Sequence, residues 1–158
     1  MTQPEKQVGL LQMLAANEVA IGKLYETYGN KFPEHEEFWF GLAMEEADHA
    51  NWIHDLTLKV NKKSLSVYEG LLKTEDIQTF RNYLSEQLNN AKKGEISFFE
   101  ALSTALNIEK SLIESQYFRV FTGGSEEDWN ILEYLASATA NHIKVIQNQL
   151  EQYNTASG

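Results

Sequence analysis

Apolar residues recur every three or four positions along most of this chain, the spacing that lines one face of an α-helix. From about Pro4 to Tyr28 the stripe reads Leu11, Leu14/Ala15, Glu18, Ile21/Gly22, Tyr25, Tyr28. A second helix, from about Glu34 to Asn61, carries Phe38, Leu42, Glu46, His49, Ile53, Leu56 and Val60. A third and shorter one, Thr74 to about Lys92, shows Ile77, Phe80, Leu84, Leu88 and Ala91. The fourth runs from about Glu95 to Phe121 along Phe98, Leu102, Ala105, Glu109, Leu112/Ile113, Gln116 and Val120. The last opens at Ser125 and continues to about Tyr153 along Leu132, Leu135/Ala136, Thr139, His142, Ile146, Leu150 and Tyr153.

Punctuation between the stripes agrees with these spans. Pro4 suits a first turn, and Gly29-Asn30 stops the first helix. The short link Asn30-Lys31-Phe32-Pro33 makes helices one and two antiparallel neighbours. Lys62-Lys63-Ser64 ends helix two, and Leu65 to Lys73 form a crossover with room for a turn of helix. Thr122-Gly123-Gly124 is a strong stop before the last helix. The prediction is an all-α, antiparallel bundle of four long helices, with a long crossover that contains an extra shorter helix. It forms a single domain over residues 1–154, and Thr155-Ala156-Ser157-Gly158 is a frayed tail.

Four of the five stripes are interrupted near mid-length by a polar residue with metal-binding chemistry: Glu18, the Glu46/His49 pair, Glu109 and His142. Glu46 and His49, three apart, leave the same helix face. Buried carboxylates are costly unless paired, hydrogen-bonded or metal-bound. One such pair carries little weight in a glutamate-rich chain, and the shorter helix carries no such residue. It is the recurrence on all four long stripes that points to a site. Glu45 competes with Glu46 as a partner for His49 at i, i+4, but it falls at the edge of the stripe. Asp48 reads as a solvated or supporting acid, and His35 and His54 as surface histidines. The acids of Glu34-His35-Glu36-Glu37 and Glu126-Glu127-Asp128 read as helix starts.

An internal repeat accompanies the pattern. Glu18 and Glu109 are 91 residues apart, and His49 and His142 are 93 apart. Each half then offers an acid on its first helix and a histidine on its second, although identity between the halves is thin. Two antiparallel pairs packed together would bring Glu18, Glu46, His49, Glu109 and His142 to one level.

Composition narrows the chemistry. At 158 residues with 42% hydrophobic content the chain can bury a substantial core. A net charge of -10 argues against nucleic acid and anionic membranes as partners. No cysteine is present, which removes thiolate metal sites, disulfides and cysteine nucleophiles. No nucleophile elbow, phosphate loop or dinucleotide fingerprint occurs. With no signal-peptide pattern and no run of 18 apolar residues, a cytoplasmic location is expected.

These residues resemble the ferritin-like carboxylate di-iron proteins, in which two helices give one Glu each and two others give Glu-x-x-His. The likeness is nearest to the rubrerythrin-type domain. It rests on Asn17-Glu18 with Tyr25 seven residues on, Glu46-Ala47-Asp48-His49, Glu109 followed by Gln116-Tyr117, and His142. The resemblance implies that Glu18 and Glu109 are terminal ligands, Glu46 is bridging, and His49 and His142 hold one ion each. It implies two iron ions, with manganese or zinc as alternatives. The activity implied is that of an oxidoreductase acting on peroxide or oxygen, with an external electron donor. Metal binding or storage without catalysis, and a metal-free structural bundle, are the alternatives. Such bundles often form homodimers.

Two departures bear on this. The acid expected three residues before His142 is Thr139, and the cysteine-bound rubredoxin iron of rubrerythrins has no counterpart. Three carboxylates leave one positive charge over against two divalent ions, which a bound hydroxide would offset. The ion near Glu18, Glu46 and His49 is therefore expected to be held better than the one near Glu109 and His142. Tyr25, Gln116 and Tyr117 read either as core packing with a hydrogen-bonded tip or as support for a carboxylate.

Overall fold

The alternation of stripes and stops becomes five helices and one small sheet in a computed structural model that describes residues 4–68, 72–112 and 120–157. The helices are α1 (Pro4–Lys31), α2 (Glu36–Asn61), α3 (Thr74–Lys93), α4 (Phe98–Ser111) and α5 (Glu126–Ser157). A 3-10 turn, Pro33–His35, links α1 to α2. Strands β1 (Leu65–Val67) and β2 (Phe121–Gly123) pair antiparallel, with Ser66 opposite Thr122. The all-α class holds. Among the described residues, no helix is long and apolar enough to cross a membrane.

Local chemistry sets several of the helix ends. The Ser97 hydroxyl accepts from the Glu100 amide and starts α4. Ser125 and Asp128 exchange bonds reciprocally at the start of α5: Asp128 N–H to Ser125 Oγ, and Ser125 N–H to Asp128 Oδ2. Gly94 closes α3 in the left-handed region at φ 103°, where a Cβ would be strained.

Several boundaries differ from the sequence expectation, and α1 already runs through Gly29-Asn30, the expected stop, to Lys31. Helix four was expected to reach Phe121, but α4 ends at Ser111 and Leu112 is extended, with ψ 141°. Phe121 lies in β2 opposite Val67, and that pairing needs extended backbone which a continuous helix cannot supply. Gln116 and Tyr117, expected on this helix, lie outside the described residues. The crossover opens with β1, whose Val67 amide donates to the Gln7 side chain at 2.7 Å, and residues 69–71, where a helical turn had room, lie outside the described residues. Of the expected tail, residues 155–157 continue the last helix, and Gly158 lies outside the described residues.

Packing follows the stripes. α1 and α2 lie against one another along much of their length, α3 covers α1, and α4 pairs with α5. Asn17 Nδ2 ties α1 to the carbonyl of Ile77 in the first turn of α3. The apolar interior divides in two. One part gathers Leu10, Leu11, Leu14, Ile53, Leu56 and Leu132, and the other Ile21, Leu24, Trp39, Leu102, Ile108 and Ile146. On α1 the division falls between Ala15 and Ile21, on α2 between Leu42 and Ile53, and on α5 between Leu135 and Ile146. The polar residues that interrupt the stripes fill those intervals.

Candidate metal centre

Glu18, Glu46, His49, Glu109 and His142 are each at most 3% exposed. α1 supplies Glu18, α2 supplies Glu46 and His49, α4 supplies Glu109, and α5 supplies His142. The structure brings all five together as two overlapping triads. Ligand atoms of Glu18, Glu46 and His49 lie within 4.8 Å of one another, and so do those of Glu46, Glu109 and His142. Glu46 is common to both. The two imidazole rings stack at 5.3 Å with 21° between their planes.

Hydrogen bonding distinguishes the triads. In the second, His142 Nδ1 bonds Glu109 Oε1 at 3.0 Å, and Tyr25 donates its hydroxyl proton to Glu109 Oε2 at 2.7 Å. Glu46 Oε1 also lies 3.1 Å from His142 Nδ1, close enough for charge attraction but outside hydrogen-bond alignment. In the first triad His49 Nδ1 is 3.4 Å from Glu46 Oε2 without a hydrogen bond. Glu18 Oε2, both Glu46 oxygens and both His49 nitrogens are buried with no hydrogen-bond partner. Each unsatisfied buried group costs about 1–3 kcal/mol. A cation in each triad would take up these lone pairs, and carboxylate with imidazole suits iron, manganese or zinc. The donor set thus fits a divalent metal pair.

The charges are coupled. Burial disfavours the His142 imidazolium, yet Glu109 and Glu46 outweigh it and push the group up to about 11. Burial, and then the Glu46 charge, push Glu109 up to about 7 against the pull of His142 and Tyr25. Burial opposes ionisation of Glu46, but His142 and His49 prevail and hold its carboxyl below the usual range. Burial and the charges of Glu109 and Glu46 raise the Tyr25 phenol well above 10, so it serves as a proton donor in its bond to Glu109. A proton on His142 balances the buried carboxylates in the metal-free state. A cation entering the cluster would have to displace it.

One contact of the cluster was not legible in the sequence. Glu45 was weighed as a partner of His49, but its carboxylate lies 2.5 Å from His142 Nε2, on α5. That bond fixes the His142 ring with Nδ1 toward the other carboxylates, an arrangement that typically orients a metal-binding histidine. Its cue, an acid adjacent to Glu46, was present, but its target was not. Thr139 stands in the stripe as expected, 2% exposed, with its hydroxyl unpartnered. For Tyr25, support of a carboxylate is the reading the Glu109 bond favours.

The residues read as bystanders fall outside the cluster. Asp48 and His54 are exposed, and His35 stacks on Phe98 at 3.8 Å. On α2 the fully buried aromatic is Trp39, whereas Phe38, the expected stripe residue, is half-buried. Tyr134 lies edge-on to His49 at 6.2 Å and screens it on the outer side.

Glu45→Gln is expected to weaken binding at the Glu46/Glu109/His142 triad by about 10–100-fold while sparing the other. Calorimetric titration with manganese(II) would register this as loss of the weaker of two binding steps, and unchanged isotherms would refute the orienting role.

No family model matches the chain, and comparison with curated proteins and with solved structures found no match.

Proposed function

We propose that the chain is a ferritin-like, rubrerythrin-type metal-binding bundle whose two buried triads hold a pair of divalent ions, iron foremost. The observation that carries the reading is the set of unpartnered buried ligand atoms on Glu18, Glu46 and His49, adjoining a second triad through Glu46. Glu18 and His49 would hold one ion, Glu109 and His142 the other, and Glu46 would serve both. Bound iron would supply one-electron redox chemistry toward peroxide or oxygen. The chain's own contribution is to fix the ligands, exclude water with the apolar clusters on either side, and return a proton to His142 when an ion leaves.

The asymmetry between the triads gives a second reading some weight. Thr139 supplies no carboxylate, and His142 and Glu109 are already satisfied by neighbours. Binding without turnover is the function if the second ion is held too loosely to be retained. Elemental analysis of anaerobically purified protein, followed by ferrous titration and absorption spectra after peroxide addition, tests both. About two ions per chain and rapid ferric absorption are expected for an oxidoreductase. Stoichiometric binding without oxidation would identify a carrier, and absence of stoichiometric metal would overturn the metal reading.

A further inference from the structure

Among the described residues two helical threonines are buried, Thr57 and Thr139, and only Thr57 bonds back along its helix. Thr27, Thr57 and Thr155 each donate their hydroxyl proton to the carbonyl four residues back, at 2.9 Å in every case. The Thr139 hydroxyl does not, although it is 2% exposed and no other hydrogen bond satisfies it. Back-bonding is open to any helical threonine, so a buried hydroxyl that forgoes it is left to find an acceptor elsewhere.

Its surroundings say what that is. Thr139 stands three residues before His142 on α5, and side chains so spaced share a face. Leu135 and Ile146, the buried apolar residues on either side along α5, are both 0% exposed, so the face is interior. A threonine side chain ends well short of where a glutamate carboxylate would lie. The three carboxylates of the triads, Glu18, Glu46 and Glu109, fall one charge short of two divalent ions, while Glu45, behind His142, is half-exposed and screened by water. A neutral hydroxyl contributes a proton donor to an anion more readily than a bond to a divalent ion.

We propose, resting on the metal reading above, that Thr139 anchors a small exogenous monocarboxylate, of formate or acetate size. Its carboxylate takes the place of the fourth protein carboxylate beside the ions. The Thr139 O–H donates to one carboxylate oxygen, and the anion's single charge completes neutrality. Formate is compact enough to stand where a glutamate terminus would, and the protein thereby takes from solution a ligand that its sequence lacks.

The test is titration of manganese(II) into metal-free protein with and without formate, followed by calorimetry and by the manganese paramagnetic resonance signal. Formate should tighten the weaker binding step at least about tenfold, and Thr139→Ser should keep that gain. Thr139→Val, which removes the donor but keeps the shape, should lose about tenfold of it. Thr139→Glu should bind the second ion tightly with no dependence on formate. Metal bound with an affinity indifferent to formate would overturn this inference alone and leave hydroxide as the neutralising ligand. An equal formate gain in Thr139→Val would overturn the assignment to Thr139. Absence of metal binding in either medium would instead overturn the reading of the centre itself.

Discussion

Replacing Glu46 with glutamine is expected to abolish retention of both ions at concentrations that saturate the parent, whereas Glu18→Gln or Glu109→Gln should cost one ion each. The difference arises because Glu46 belongs to both triads, while Glu18 and Glu109 belong to one each. A unit charge about 4 Å from another is worth roughly 4 kcal/mol at an effective dielectric near 20, or about a thousandfold in affinity per ion. Glutamine keeps the volume, so the bundle should persist, and far-ultraviolet circular dichroism would verify that. Equilibrium dialysis with elemental analysis reads the stoichiometry. Two ions retained by Glu46→Gln, or equal losses in all three variants, would mean that the shared carboxylate is not central.

Stability of the metal-free form should fall as pH rises, whereas that of the metal-loaded form should hold nearly level. His142 is pushed up to about 11 from its ordinary 6.5, and Glu109 up to about 7 from 4.5. Both groups bind protons more tightly folded than unfolded. Their stabilising contributions are complete below the unfolded values and lost as pH rises through the folded ones. For Glu109 that loss spans roughly pH 4.5 to 7, and for His142 roughly pH 6.5 to 11. Glu46 has the opposite sign: its contribution is present above its unfolded value and disappears as pH falls through its lowered folded value.

Between about pH 6.5 and about pH 9 the metal-free protein should therefore lose on the order of 2 kcal/mol, a fall of several degrees in Tm. A bound ion competes with the same His142 proton, so binding strengthens as pH rises and the gap between the two melting curves widens. Scanning calorimetry of chelator-treated and zinc-loaded protein at three pH values would measure it. Parallel curves would show that the proton on His142 and the metal do not compete for one place.

Periodicity alone placed much of this. The α1 stripe from Leu11 to Tyr28 is buried as read, and Glu18 lies within it because a repeat near 3.6 residues marks one helical face whatever that face meets. The same rule preferred Glu46 to Glu45 for the interior, and Glu46 is 0% exposed. The Gly123-Gly124 turn and the Ser125 cap were local in origin and equally legible. Finer rotation about the helix was less so. Phe38 and Trp39 are adjacent and both aromatic, and choosing the buried one takes a crossing angle that no stripe encodes.

Tertiary structure decided what faces what. A stripe shows that Glu45 stands off the interior face of α2, but its meeting with His142 depends on how closely α5 lies beside that edge. Pairing between Phe121 and Val67, residues 54 positions apart, took Phe121 out of the helix that the stripe had predicted for it. Local sequence specifies which side of each helix prefers to leave water, since that preference sums over neighbouring residues. Partners, registers and shared protons are set by contacts between distant segments, whose energies exist only once the chain has closed.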